Sequence, residues 1–430
     1  MPESEDLAYL NRRRQAVAER WNLKREVVLV WAGQPLPIPG RGDRVYPFRS
    51  HSEYFYLTDR ERPGGVIAFD ADEGWVDFVV PVTRSERLWD GADPKSTDGT
   101  PITELEPWLA ARSGRPIASL GAPGRSDIRS EEALVTELRR ELNFVRRQKD
   151  ELELDRMRRA ESATRAGFAR IEHLIEEGRT EREIQIELEA EFMRHGGDFL
   201  AFETIVAGGP HSAVLHCRPG HRRFAKADLV LIDAGAEFRG YASDITRTYP
   251  ASGRFTSEQR ELYNVVRQAN LAAIERCVAG TEWRDVHRTA SLVIARGLAD
   301  FGLLRGDPES LVDRGAQSVF FPHGVGHMVG LGIRDAGEAL PGREPRPNEF
   351  PQLRVDLPLM PNHVVTVEPG IYLVPALVED PEFRDRYRDA VAWDRAEQML
   401  GFGGIRIEDN VLVTDDRPEV LTANMPVSEV

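Results

Sequence analysis

The segment LVLIDAGAEFRGYASDITRTYP, Leu229 to Pro250, opens as an apolar strand and then carries Asp233, Glu237 and Asp244 in one short span. Gly240 after Arg239 supplies the positive φ of a two-residue turn. Phe238 then pairs with Tyr241, Asp233 faces Thr246 and Gly235 faces Asp244. Side chains alternate along a strand, so Asp233, Gly235, Asp244 and Thr246 share one face of the hairpin. The two acids become diagonal neighbours, roughly 7–8 Å apart at the backbone, with Gly235 leaving a gap opposite Asp244. Acids this close in an apolar strand repel each other and lose hydration. Either the hairpin is a solvated edge, or a bound cation neutralises the pair.

Three further segments weigh against a solvated edge. FFPHGVGHMVGLGIRDAG places His323 and His327 four residues apart among glycines 324, 326, 330 and 332. That pattern is a close backbone approach rather than the H-E-x-x-H zinc helix. HVVTVEPGIYL ends a run of Val and Thr on Glu368, just before Pro-Gly. In GFGGIRIEDNVLVT, Ile405 and Ile407 face a core, which puts Arg406 and Glu408 together on the opposite face. Taken singly, each acid reads as a strand-end carboxylate in water. Four acids and one histidine, each interrupting an apolar or Gly-rich segment, form a ligand set. Carboxylates with one imidazole suit Mn²⁺ and allow Co²⁺, Fe²⁺ or Zn²⁺. Five ligands exceed the need of one tetrahedral zinc, and two divalent ions with bridging carboxylates fit the count. Such a centre activates water for hydrolysis.

The rest of the chain bounds the class. Its 430 residues favour two domains. Lys and Arg number 56 against 71 Asp and Glu, a net charge of -15, which argues against nucleic acid or an anionic membrane as partner. No stretch approaches the ~20 apolar residues of a membrane helix, and MPESEDLAYLNRRR lacks the apolar core of a signal peptide. Cys217 and Cys277 are the only cysteines, and a reducing cytoplasm is expected. Strands such as EVVLVWAG, GGVIAFD and WVDFVVPV alternate with helical stretches to about residue 155, predicting an α/β domain over 1–155. The charge-dense run RRQKDELELDRMRRAESATRAGFARIEHLIEEG predicts one long helix ended by Gly178. Thr180 with Glu183, and Thr256 with Gln259, mark capping boxes of later helices. Helices with hairpin-connected strands predict an α+β domain over 156–430.

The order Asp, Asp, His, Glu, Glu in DAGAEFRGYASDITRT, HGVGH, TVEPGIY and GIRIEDNVLVT resembles the Xaa-Pro peptidases, aminopeptidase P and prolidase, of the pita-bread metallopeptidase fold. PFRSHSEYFYLTD and KDELELDRMRRA resemble the N-terminal domain and junction of the same group, so the likeness covers essentially the whole chain. It implies an α/β N-terminal domain followed by an α+β pita-bread catalytic domain. It implies that Asp233 and Asp244 hold one metal, and Asp244, His327, Glu368 and Glu408 the other, with Asp244 and Glu408 bridging. Water held between the ions would attack the carbonyl before proline, with Glu368 shuttling the proton. His216 matches a histidine near the scissile bond, His323 one that shapes the proline pocket, and Arg406 an arginine beside the last bridging glutamate. Thr246 lies behind the Asp pair. Mn²⁺, small peptides with proline second, and a homodimer are the accompanying expectations.

One departure carries weight. Where the family reads HDVG, this chain reads RDAG, with Arg334 in place of the histidine. A guanidinium cannot exchange a proton at ordinary pH but forks onto a carboxylate. The C-terminal carboxylate lies nearby only in a dipeptide, so an Xaa-Pro dipeptidase is the leading expectation and aminopeptidase action on longer peptides the alternative. The competing reading ties Arg334 to Asp335 or Glu338. Two long segments, LPGREPRPNEFPQLRVDLPL and VPALVEDPEFRDRYRDAVAW, lie beside the motifs, and the Pro/Gly-rich loop with Arg41, Asp43 and Arg44 is a candidate lid. A metal-free relative of creatinase type, a binding module, a methionine aminopeptidase and a two-metal phosphoesterase are the remaining readings; the first two lack the full ligand set.

Overall fold

The computed structural model describes residues 4–93, 98–124, 128–337, 340–345 and 353–425. It forms two compact units, Met1–Arg146 and Arg147–Val430.

The first unit is built on a five-stranded sheet in the order β4-β3-β2-β1-β5. Its strands are β1 (Val27–Trp31), β2 (Val66–Asp70), β3 (Gly74–Val79), β4 (Thr100–Pro101) and β5 (Ile117–Gly121). β1 runs antiparallel to β2 and parallel to β5. VVLVW is buried at every position, as a central strand covered on both faces requires. The helices are α1 (Ser4–Trp21), α2 (Ser52–Thr58), α3 (Arg84–Trp89), α4 (Leu105–Ala110) and α5 (Glu132–Arg147). Loop 34–48 closes on itself through Ile38 N–H to Arg44 O, 2.9 Å, and Arg41, Asp43 and Arg44 are exposed.

The expected long helix is two helices. α5 stops at Arg147, and α6 (Glu151–Ile171) starts from Asp150, which caps it in a reciprocal box with Glu153. The D-E-L-E signal is present in the sequence but lies inside a run of charges that all fit a helix surface. Lys149, between the helices, is buried with its ammonium 2.8 Å from Asp335. A buried charge of this kind needs its partner more than it needs a helical turn. α6 also ends before Gly178, tightening into a 3₁₀ turn over Glu172–Leu174. The expected domain boundary at 155/156 lies within α6.

The second unit contains α7 (Glu181–Arg194), α8 (Ser257–Glu275) and α9 (Trp283–Phe301), and α7 and α8 open on the capping boxes of Thr180 and Thr256. Its central strands are β6 (Phe199–Leu200), β7 (Ile205–Gly208), β8 (Leu229–Ala234), β9 (Ala236–Phe238), β10 (Tyr241–Ala242) and β11 (Ile245–Pro250). They continue with β12 (Val364–Val367), β13 (Gly370–Tyr372), β14 (Gly404–Arg406) and β15 (Asp409–Leu412). Arg239 and Gly240 turn with φ of 52° and 82°, and the register pairs Phe238 with Tyr241 and Asp233 with Thr246, as the turn residues predict. Gly235 corrects one expectation: it leaves no gap. A Cβ there would lie 1.8 Å from the Ser243 carbonyl oxygen, so glycine is needed for the strands to approach. β12 pairs with β15 and β13 with β14, and a bridge between Thr246 and Glu408 joins that system to the Asp233 hairpin. The apolar core lies between these strands and α8 and α9, with Trp283, Ile294, Val365 and Ile405 fully buried. This is the α+β pita-bread arrangement. Among the described residues no helix is long and apolar enough to cross a membrane.

Candidate metal centre

Four of the five expected ligands come from places where regular pairing breaks; Asp233 is still paired, to Thr246 and to Ile205. Asp233 is the penultimate residue of β8, and Asp244 sits in the interruption between β10 and β11. The Asn410 side chain fills that interruption: its amide oxygen accepts the Asp244 N–H at 3.0 Å and its nitrogen donates to the Asp244 carbonyl at 2.8 Å. Glu368 follows β12 and Glu408 lies between β14 and β15. Asn270 of α8 donates to the carbonyls of Val367 at 2.9 Å and Ile407 at 3.4 Å, the residues just before the two glutamates.

His327 is placed by backbone. Its N–H donates to Thr366 Oγ1 at 3.0 Å, and its carbonyl accepts from Thr366 N–H at 2.8 Å. Gly326 permits this, because a Cβ there would lie 2.0 Å from the Thr366 carbonyl oxygen. His327 Nδ1 lies 3.0 Å from the Met328 carbonyl, which makes it the protonated nitrogen. Nε2 then carries the lone pair, 3.3 Å from Asp244 Oδ2 and 3.9 Å from Glu368 Oε1. Donor atoms of Asp244, His327 and Glu408 all lie within 4.8 Å of one another, and the three residues are buried.

Arg406 is the cation among these acids. It donates to Asp233 Oδ2 at 2.7 Å, to Thr246 Oγ1 at 3.1 Å and to the Tyr372 hydroxyl at 2.8 Å. Thr246 in turn donates to Glu408 Oε2 at 2.7 Å. Burial lowers the Arg406 pKa, but Tyr372, Asp233, Glu368 and Glu408 more than offset it and hold the guanidinium charged. His323 Nδ1 lies 2.9 Å from the Gly324 carbonyl and Nε2 2.9 Å from the Tyr372 hydroxyl. Burial, and then Arg406, push its pKa down to about 3. The imidazole is therefore neutral, with Nδ1–H donating and Nε2 accepting from Tyr372.

One guanidinium does not balance four carboxylates. Burial pushes Asp244, Glu368 and Glu408 above the usual carboxylate range, and mutual repulsion adds to it for Asp244 and Glu408. Asp233 Oδ1 is buried with no hydrogen-bond partner. A bare carboxylate oxygen facing other acids, beside an imidazole with its lone pair free, is what divalent cations satisfy. The residues fit such ions on chemistry alone.

The five groups line a cavity of about 400 Å³ together with His216, His323, Arg334, Arg354 and Arg406. His216 and Arg334 are exposed in it. Asp335, one of the two acids weighed as a partner for Arg334, is held instead by Lys149; the other, Glu338, lies outside the described residues. Part of the segment 340–359 also lies outside them, while 374–393 forms short helices over Pro375–Val378 and Pro381–Arg386 and leads into a third at Trp393. Residue patterns did not single out Tyr372, Asn270, Asn410 or Arg354. Tyr372 reads as one more core aromatic, and the two asparagines act across more than ninety residues of chain.

Residues 155–415 match the metallopeptidase family M24, and residues 10–106 match the aminopeptidase P N-terminal domain. A probable Xaa-Pro aminopeptidase of Botryotinia fuckeliana is 31% identical over 396 residues, spanning 88% of this chain and 86% of that protein. The structure of Pseudomonas aeruginosa aminopeptidase PepP superposes with a TM-score of 0.78 at 30% identity, covering 99% of this chain and 96% of that one. A zinc-substituted aminopeptidase P of Escherichia coli in complex with product gives 0.79 at 26% identity, covering 98% and 96%. This chain is a member of metallopeptidase family M24.

Proposed function

We propose that the protein hydrolyses the bond between an N-terminal residue and a following proline, releasing the first residue from peptides longer than a dipeptide. The observation that carries this is the convergence of Asp233, Asp244, His327, Glu368 and Glu408 on one cavity, in a chain whose relatives are named Xaa-Pro aminopeptidases. Two divalent ions, Mn²⁺ by this donor set, would be held by Asp233 with Asp244 and by Asp244, His327, Glu368 and Glu408, supplying Lewis-acid activation when bound. Glu368, a carboxylate on the cavity wall, takes up the proton of the attacking water and returns it to the proline nitrogen. His323 has both nitrogens committed and serves as a fixed wall, edge-on to Phe321 and Tyr372. His216, exposed in the cavity, donates to the scissile carbonyl.

A second reading rests on Arg334 and Arg354. Both are exposed side chains lining the cavity, and two guanidinium groups there favour a carboxylate on the proline, as in a dipeptide. Turnover of Xaa-Pro against Xaa-Pro-Xaa-Xaa, after chelation and reconstitution with Mn²⁺, separates the two. Cleavage of the tetrapeptide at least as fast as the dipeptide is expected; cleavage of the dipeptide alone would replace the first reading with the second.

A further inference from the structure

A cluster outside the ligand set brings three donors of different chemistry together. Glu181 is the first residue of α7, His211 lies in the 3₁₀ turn Gly209–Ala213 after β7, and Cys217 lies in the loop that follows. One donor atom from each falls within 4.8 Å of the others. We propose that Glu181, His211 and Cys217 form a separate site for one soft divalent cation of the zinc class, at the edge of the catalytic cavity.

The carboxylate is built for it. Glu181 is fully buried, and two backbone amides fix it: Gly208 N–H at 3.1 Å on Oε1 and Gly220 N–H at 3.0 Å on Oε2. Backbone donors of this kind orient a ligating carboxylate and leave lone pairs for a cation. His211 Nδ1 sits 2.7 Å from Oε1, and its ring is 45% exposed, so it can turn from the carboxylate to an ion without unpacking a core. The Cys217 thiol lies within 4.8 Å of the same carboxylate, with its S–H directed to the Arg218 carbonyl at 3.8 Å. Burial, and then Glu181, raise its pKa, so without a cation it keeps its proton. A dication reverses that balance: the thiol proton leaves to solvent and the thiolate, carboxylate and imidazole share the charge. One nitrogen, one sulfur and one oxygen make a three-ligand zinc site, with water in the fourth position. Thiolate selects zinc over manganese, so the two kinds of site sort different metals.

The consequence touches the cavity. Cys217 lines it and is the next residue after His216. A cation would pin the loop carrying His216 to the start of α7; its effect on turnover rests on the role proposed above for His216, whereas binding itself does not.

The test uses full-length protein with its Mn²⁺ centre filled, and Cd²⁺ as probe. The catalytic donors include no sulfur, and the other cysteine, Cys277, is completely buried. A near-ultraviolet thiolate-to-cadmium band therefore reports Cys217 alone. The expected result is a band saturating at one thiolate per chain, bleached by Zn²⁺ and tightening as pH rises. It is lost in Cys217→Ser and needs at least about tenfold more Cd²⁺ in His211→Ala, one ligand fewer. Excess Zn²⁺ should then depress turnover, relative to each protein's own zinc-free rate, more in wild type than in Cys217→Ser. No band at stoichiometric Cd²⁺, a band that survives Cys217→Ser, or equal Cd²⁺ affinity in wild type and His211→Ala would overturn the proposal.

Discussion

The side-chain amide of Asn410 pairs with the backbone of Asp244 as a neighbouring strand would, accepting its N–H at 3.0 Å and donating to its carbonyl at 2.8 Å. The pairing holds one proposed bridging acid, Asp244, from a residue two positions after the other, Glu408. Replacing Asn410 by Ala leaves two buried backbone groups unpaired and costs about 1–3 kcal/mol of stability. Metal affinity should fall about 10–100-fold, as for residues that orient ligands. Metal titration and thermal unfolding of the same sample check both; unchanged affinity with lowered stability would remove Asn410 from the centre.

Thr246 links Arg406 to Glu408, accepting from Nε at 3.1 Å and donating to Oε2 at 2.7 Å. Thr246→Val keeps the shape and deletes both bonds. Metal affinity should drop about tenfold or more, and Thr246→Ser should restore most of it, because the hydroxyl and not the methyl makes the contact.

Metal removal should reverse the pH dependence of stability contributed by the site. Asp244, Glu368 and Glu408 have folded pKa values raised above the ordinary range, first by burial. In the metal-free protein the folded state binds protons that the unfolded chain has released. Their contribution is full below the usual carboxylate range, about pH 4, and is lost as pH rises through the raised values. Bound cations remove that penalty. The melting-temperature gap between metal-loaded and chelated protein should therefore widen from about pH 5 to pH 7.5. A gap constant across that range would contradict the raised pKa values of these buried acids.

Arg334 has no ion-pair partner among the described residues and faces the cavity. If it holds a substrate carboxylate, Arg334→Ala should lower kcat/KM for Xaa-Pro by about 10–100-fold, the worth of a charge-assisted bond, and leave Xaa-Pro-Xaa-Xaa nearly unchanged. Equal losses on both peptides would make it a structural residue.

Much of the centre was legible in the sequence because acids in apolar strands are costly and a two-residue turn sets register. Arg239-Gly240 alone placed Asp233 opposite Thr246. What stayed hidden depends on contacts far apart in the chain. Asn270 and Asn410 substitute for missing strand partners, which no local pattern encodes. Tyr372 lies in a strand buried at every position, and only its hydroxyl, between Arg406 and His323, sets it apart from a core aromatic. The break between α5 and α6 was masked because a capping box and a charged helix surface use the same residue types.

The central claim is that five groups from distant parts of the chain hold two cations. Metal content after chelation, reloading with Mn²⁺ and exhaustive removal of free ion tests it most directly. The account predicts about two ions per chain, falling to one or none in Asp244→Asn, with the protein still folded. Less than one ion per chain in wild type, or two retained without the Asp244 carboxylate, would contradict it.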